Sequence, residues 1–161
     1  MEIRHFSPED AASIQELVNL LQGHVAELDP FDRLRHSEDF DPARHFATVM
    51  DDVEKREGTV IVADDSGRIA GITIGAVIHQ DEEYQMAHYP DKFGQIFEVC
   101  VHPDYRNQQV GQRLLASIEN HLRSVGCEYV RLDCLATNED AQRFYRKNGF
   151  KERNIQFMKK L

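Results

Sequence analysis

Apolar residues recur along the chain in two rhythms, and the rhythm changes mark its elements. In residues 2–6, EIRHF, apolar and charged side chains alternate with the period of a half-buried strand. Ser7 and Pro8, followed by Glu9 and Asp10, then open a helix. Its face is drawn by Ile14, Leu17, Val18 and Leu21 at spacings of three and four, and Gly23 is predicted to end it. Residues 24–41 are polar and aperiodic, a loop with a short helical turn or a lid facing a substrate. A second helix is predicted from Pro42 to about Glu57, with Phe46, Val49, Met50 and Val53 on its apolar side. The pattern next switches to β-branched runs. GTVIVADDSGRIAGITIGAVI holds two of them around DDSG, a turn with a glycine for positive φ, and reads as an antiparallel hairpin.

HQDEEYQMAHYPDKFG follows as an exposed connection and QIFEVCV as a further strand. Val110, Leu114, Leu115, Ile118, Leu122 and Val125 share one face of a helix that Gly126 can stop, EYVRLDCL alternates as a strand, and TNEDAQRFYRKNGF is a short helix with acids early and Arg146 and Lys147 late. NIQFMKKL is predicted to close the chain as a last strand. Strand, helices, three strands, helix, strand, helix, strand is the order of a mixed α/β protein, and 161 residues suffice for one domain spanning 1–161.

Composition narrows the classes. With 41% hydrophobic and 29% charged residues, the chain has the balance of a soluble globular domain, and no apolar run approaches the roughly 20 residues of a membrane span. The start, MEIRHFSPED, lacks the basic, apolar and small-residue regions of a signal peptide, so a cytoplasmic location is expected. Cys100, Cys127 and Cys134 are odd in number and lack C-x-x-C spacing, which argues for small buried hydrophobes over a disulfide framework or zinc cluster. A net charge of -9 disfavours nucleic acid as a partner and is compatible with cationic substrates. A homodimer is compatible with the sequence, which holds no direct sign of oligomeric state.

One junction carries candidate chemistry. VHPDYRNQQVGQRLL runs from a strand end through a polar loop into a helix. The first turn of such a helix has unpaired N–H groups and the positive end of its dipole, and residues from Asn107 to Gln112 would offer them to an anion such as phosphate. The two commonest phosphate motifs, G-x-G-x-x-G and G-x-x-x-x-G-K-[ST], are absent.

VHPDYRNQQVGQRLL followed by LATNEDAQRFYRKNGF resembles the cofactor half of the GNAT superfamily of N-acyltransferases, whose signature R/Q-x-x-G-x-G/A lies on the turn between the fourth strand and the next helix. The correspondence covers about 95 to 157, and the order of elements agrees over the rest. The resemblance implies a single-domain, mostly antiparallel sheet flanked by helices, with acetyl-CoA as co-substrate and no metal. It also implies Val99 and Val101 along the pantetheine, Arg106, Asn107, Gln108, Gln109, Val110, Gly111 and Gln112 around the pyrophosphate, and Asn138 and Tyr145 beside the acyl end. Gln109 stands where the family usually has its first Gly, at a cost of about 1 kcal/mol if that position requires positive φ.

Acyl transfer to an amine needs a neutral nucleophile, stabilisation of the developing oxyanion and a proton for the leaving thiolate. Glu98, within FEVCV, is the candidate base; the alternative is a strand carboxylate satisfied by a lysine or arginine. By resemblance Tyr145 is the general acid, with an aromatic core residue as the alternative. Asn138 either binds cofactor or caps its helix. The ligand types in HQDEEYQMAH suit a metal, but nothing places them on one face, and a solvated loop is the simpler reading; His102, beside Pro103, reads as turn structure. The expected function is acetyl transfer from acetyl-CoA to a primary amine within a ternary complex. The rival is a non-catalytic acyl-CoA-binding or regulatory domain. The acceptor is left open among a polyamine or aminoglycoside, a free amino acid and a protein amine.

Overall fold

The computed structural model describes residues 1–161. Strand β1 (Glu2–His5) leads through a 3₁₀ turn at Pro8–Asp10 into helix α1 (Ala11–Leu28). Helix α2 (Pro42–Lys55), the hairpin β2 (Thr59–Asp65) and β3 (Arg68–Ile78), helix α3 (Glu82–Ala87) and strand β4 (Phe93–Val101) follow. A second 3₁₀ turn at Pro103–Tyr105 precedes α4 (Val110–Ser124), β5 (Tyr129–Arg131) and α5 (Glu139–Lys147). The five strands lie in the order β1-β2-β3-β4-β5, antiparallel except for the parallel pair β4 and β5. This is the mixed α/β, mostly antiparallel arrangement expected.

Helices cover both faces, which is why β2 and β3 read as nearly continuous apolar runs. On one face Ile14, Leu17 and Val18 of α1 and Phe46 and Val53 of α2 pack on Val60, Val62, Ile72, Ile74 and Cys100. On the other, Leu114, Leu115, Ile118 and Leu122 of α4 pack on Ile61, Ala63, Ala70 and Ile96. Helix α4 lies so close to the sheet that a Cβ at Gly94 would stand 2.7 Å from Leu122 Cδ1. At the hairpin, Ser66 and Gly67 both take positive φ, 57° and 93°, as a tight turn between twisted strands requires.

An ion pair anchors β1. Arg4 donates to both oxygens of Asp10 at 2.7 and 2.9 Å and to Asp64 at 2.9 Å, while Ser7 N–H donates to Asp10 at 2.8 Å. The guanidinium, helped by that N–H, lowers the Asp10 carboxyl from 3.8 to about 2. A lowered folded-state value contributes stability fully above the unfolded value and loses it as pH falls through about 2. Asp10→Asn should therefore destabilise the protein by about 1–3 kcal/mol at pH 7 in urea unfolding, with the difference closing near pH 2. An equal loss at both pH values would assign the effect to packing instead.

Five sequence expectations are corrected. Helix α1 runs through Gly23 to Leu28 because Ala26 is buried, and it stops at Asp29, whose carboxylate accepts from the N–H groups of Phe31, Arg33 and Leu34. The connection after β3 contains α3, capped by Asp81, which accepts from Tyr84 N–H at 2.7 Å. EYVRLDCL is a strand only over Tyr129–Arg131, and NIQFMKKL forms none, with Ile155 and Phe157 77% and 89% exposed. Alternation is a local preference; it becomes a strand only where another strand supplies hydrogen bonds, and the tail has none. Of the cysteines only Cys100 is buried; Cys127 is half-buried and Cys134 exposed. No helix is long and apolar enough to cross a membrane.

Candidate active site

The site begins where β4 and β5 part. They pair only at Phe93↔Tyr129, Gly94↔Val130 and Gln95↔Arg131. Beyond Gln95 a bulge in β4 opposes Glu98 to Ile74 and Ile96 to Gly75, so that Phe97 is the extra residue. His102 N–H donates to the Ala70 carbonyl at 2.9 Å, and in that register Cys100 and Glu98 also turn their backbone groups toward β3. The N–H and C=O of Val99 and Val101 therefore face the other edge, which β5 leaves uncovered. Their side chains pack on the α4 core. An extended chain with amide groups could add to this edge as a strand would.

The loop after β4 ends in the helix start. Arg106 crosses the open edge, its Nε 3.4 Å from the Val101 carbonyl. Asn107 and Gln109 both take positive φ, 62° and 61°, with Gln108 between them tied to the Asp104 carbonyl at 2.9 Å. The condition set for Gln109 is thus met: it caps α4 in a left-handed conformation and bears the cost of about 1 kcal/mol. Arg113 N–H is the first in α4 to reach back four residues, to Gln109, leaving the N–H groups of Val110, Gly111 and Gln112 free. Val110 contributes only its backbone, since its side chain is in the core, whereas Gln112 is exposed. Gly111 has a second role: an added Cβ would lie 3.3 Å from Phe144 Cζ and 3.5 Å from Val101 Cγ2, so its smallness lets α4 approach α5. The donors and the open edge fit a pyrophosphate-bearing pantetheine chain.

Two candidate catalytic groups lie beyond the end of the β4–β5 pairing, one on β4 and one on α5. Glu98 lies three residues past the last β4 residue paired with β5, and its side chain is 8% exposed. Its Oε1 accepts from His45 Nε2 of α2 at 2.5 Å; its Oε2 is buried without a partner. Glu98 is therefore satisfied by neither lysine nor arginine. His45, 37% exposed, has its imidazolium favoured by that carboxylate, against partial burial. Opposite, Cys134 lies three residues past the last paired β5 residue, and beside it stands Tyr145 of α5, packed between Phe144 and Phe150 at centroid distances of 5.4 and 5.8 Å. Burial, with a smaller contribution from Cys134, pushes the Tyr145 hydroxyl up to about 12, so it stays protonated at neutral pH.

Other candidates resolve into structure. Asn138 is buried and caps α5, accepting from Ala141 N–H at 3.1 Å, on the wall of a cleft of about 230 Å³ between the end of α1 and the start of α5. His102 caps the 3₁₀ turn, accepting from Asp104 N–H at 3.3 Å. Cys100 donates to the Leu17 carbonyl, and burial pushes its thiol up to about 12, which removes it as a nucleophile. His45 is the residue that sequence reasoning missed. The signal was present: it precedes Val49 by four on the face of α2 that carries Val49 and Val53, a titratable side chain at core spacing.

Comparison with known proteins agrees with this geometry. The model of the acetyltransferase (GNAT) family matches residues 21–150. The chain is 27% identical over 160 residues to the aminoalkylphosphonate N-acetyltransferase of Salmonella typhimurium, covering 99% of this chain and 91% of that protein. It is 31% identical over 122 residues to the glucosamine 6-phosphate N-acetyltransferase of Arabidopsis thaliana, covering 76% and 75%. Among solved structures, a mutant of the BH1408 protein from Bacillus halodurans superposes with a TM-score of 0.82 at 20% identity, covering 100% and 99% of the two chains. The Arabidopsis glucosamine-6-phosphate N-acetyltransferase does so with 0.67 at 23%, covering 99% and 97%. With a matching family model over most of its length and the open-edged fourth strand in place, the chain belongs to the GNAT family of acetyltransferases.

Proposed function

We propose that residues 1–161 work as one acetyltransferase domain that moves an acetyl group from acetyl-CoA directly to a primary amine, both substrates being bound together. The observation that carries this reading is the β4–β5 opening: backbone groups of Val99 and the Val101 N–H that β5 leaves uncovered, free N–H groups at Val110 to Gln112 beyond them, Glu98 on β4 with one bare oxygen, and Tyr145 on α5 beside Cys134, past the end of β5. Acetyl-CoA supplies the activated thioester. Val99 and Val101 hold its extended arm as a strand would, and the start of α4, with Arg106 at its mouth and Asn107 to Gln109 curled beneath it, holds the pyrophosphate. Glu98 Oε2 accepts, directly or through water, the proton that the acceptor ammonium must lose. Tyr145 donates a hydrogen bond from its hydroxyl to the sulfur as negative charge grows there. Asn138 keeps α5, and with it Tyr145, in place.

Retention of both titratable groups favours turnover over mere cofactor binding. The two curated relatives are named for acceptors that join an amine to an anionic phosphorus group, an aminoalkylphosphonate and glucosamine 6-phosphate. An acceptor screen should begin there and continue with polyamines, aminoglycosides, amino acids and peptide amines, reading thiol release from acetyl-CoA. Release that depends on no amine would overturn the reading.

Binding has its own test. Acetyl-CoA at about 100 times its dissociation constant should stabilise the fold by about 2.7 kcal/mol, a rise of roughly 5–10 °C in Tm. Gly111→Val should abolish that rise by crowding Phe144 and the first turn of α4. A Tm indifferent to millimolar acetyl-CoA and CoA would remove the cofactor site.

A further inference from the structure

Glu98 is unusual among the buried charges of this protein. Asp10, the other buried carboxylate, has both oxygens occupied by Arg4. Glu98 has one oxygen held and the other bare, and the group that holds it comes from a helix distant in sequence. Burying a carboxylate oxygen with no donor is costly, and such an oxygen is retained where a ligand supplies the missing proton. The imidazole of His45 also has a wet side, since it is more than one third exposed and its other near neighbour is the Phe40 ring at 5.2 Å.

We propose that His45 is a positioning residue for Glu98: by filling Oε1 from α2 it fixes the carboxylate so that Oε2, the oxygen without a partner, is the one left to take the acceptor's proton. The inference rests on the reading of Glu98 as the base. In the step itself one proton leaves the acceptor ammonium for Oε2, the amine keeps the electron pair, and Nε2–H remains on Oε1 throughout. The imidazolium beside the carboxylate offsets its charge while the site is empty.

Few other groups face the pair. Along β4 the neighbour is the Cys100 thiol, held neutral by burial; β3 presents the Thr73 hydroxyl, which donates to the Glu98 carbonyl at 3.0 Å; α1 presents the Leu17 carbonyl, already engaged by Cys100. Arg106 is felt at Cys100 from the loop beyond β4. Of these groups, His45 is the one that makes a hydrogen bond to the Glu98 carboxylate.

The test compares His45→Ala, His45→Gln, Glu98→Gln and the double variant His45→Ala/Glu98→Gln, with acetyl-CoA and the best acceptor of the screen. His45→Ala should lower kcat about 10-fold or more while leaving the Kd of acetyl-CoA within about twofold, and should move the acidic limb of the pH–rate profile to higher pH, because the carboxylate has lost a cationic donor. His45→Gln, which can still donate to Oε1, should recover much of kcat but keep the displaced limb. The double variant should be no slower than Glu98→Gln alone, since a positioning residue has nothing left to position. Wild-type kcat and pH profile in His45→Ala, with Glu98→Gln impaired, would overturn this inference and leave the base intact. A fully active Glu98→Gln would instead overturn the base. If His45→Ala fails to fold, His45→Gln decides alone: an undisplaced limb counts against the proposal.

Discussion

Glu98→Gln is expected to lose about 100-fold or more of its activity at pH 7 and to regain part of it as the pH is raised. The substitution keeps the shape of the side chain and an oxygen for the His45 hydrogen bond, so the fold and acetyl-CoA binding should survive. What goes is the acceptor at Oε2. An alkyl ammonium with a pKa of about 10.4 is neutral in about one molecule in 2,500 at pH 7 and one in 25 at pH 9, so solution alone offers the variant about 100-fold more nucleophile over that range. Recovery needs the rest of the site to remain competent at that pH, and the Tyr145 hydroxyl does, being pushed up to about 12 by burial. The rate should be followed from pH 6 to 10 under saturating acetyl-CoA. A variant with the wild-type rate and profile would make Glu98 a strand residue and leave deprotonation to solvent.

Tyr145→Phe should lower turnover by about 10- to 1,000-fold while leaving acetyl-CoA affinity within a few-fold. The ring keeps its place between Phe144 and Phe150, and only the oxygen is removed. That oxygen makes no hydrogen bond within the protein, and burial, not an ionic partner, dominates its protonation. Stability should therefore be unchanged or slightly raised, because a half-desolvated hydroxyl without a partner has been deleted. A fall in kcat with no fall in Tm separates a group that serves the leaving sulfur from an aromatic that fills the core. Because the phenol is a weaker acid than a thiol, its contribution is a hydrogen bond that tightens as charge develops on sulfur. The wild-type rate should accordingly show no alkaline loss from Tyr145 below about pH 11. Unchanged turnover with chemistry rate-limiting would take Tyr145 out of the mechanism.

The order from β1 to β3, and the step from β4 to α4, was legible in the chain because those elements bury their faces against one another, so period and burial coincide. Ile14, Leu17 and Val18 on α1, and Leu114, Ile118 and Leu122 on α4, stand where spacing put them. The α4 turn was equally legible, since polar residues ahead of a helical face, coupled to N-x-x-A-x-x-F-Y-x-x-x-G-F, form a local pattern with a local purpose. Strand ends were not legible. The C-terminal alternation at Ile155 and Phe157 has a strand's period and no strand beside it, and EYVRLDCL pairs with β4 only as far as Arg131, just short of the bulge in β4. Backbone hydrogen bonds between strands join residues far apart in sequence, and no local preference encodes whether the partner arrives. The same holds for the site. Sequence placed Glu98 in an apolar strand and Tyr145 on a short helix, each by itself. Only the tertiary structure brought His45 across 53 residues to one carboxylate oxygen, left the other bare, and opened β4 from β5 so that Val99 and Val101 lie on an edge no strand covers. A side chain's identity is written at its own position, whereas its solvation and its partner depend on how distant elements pack.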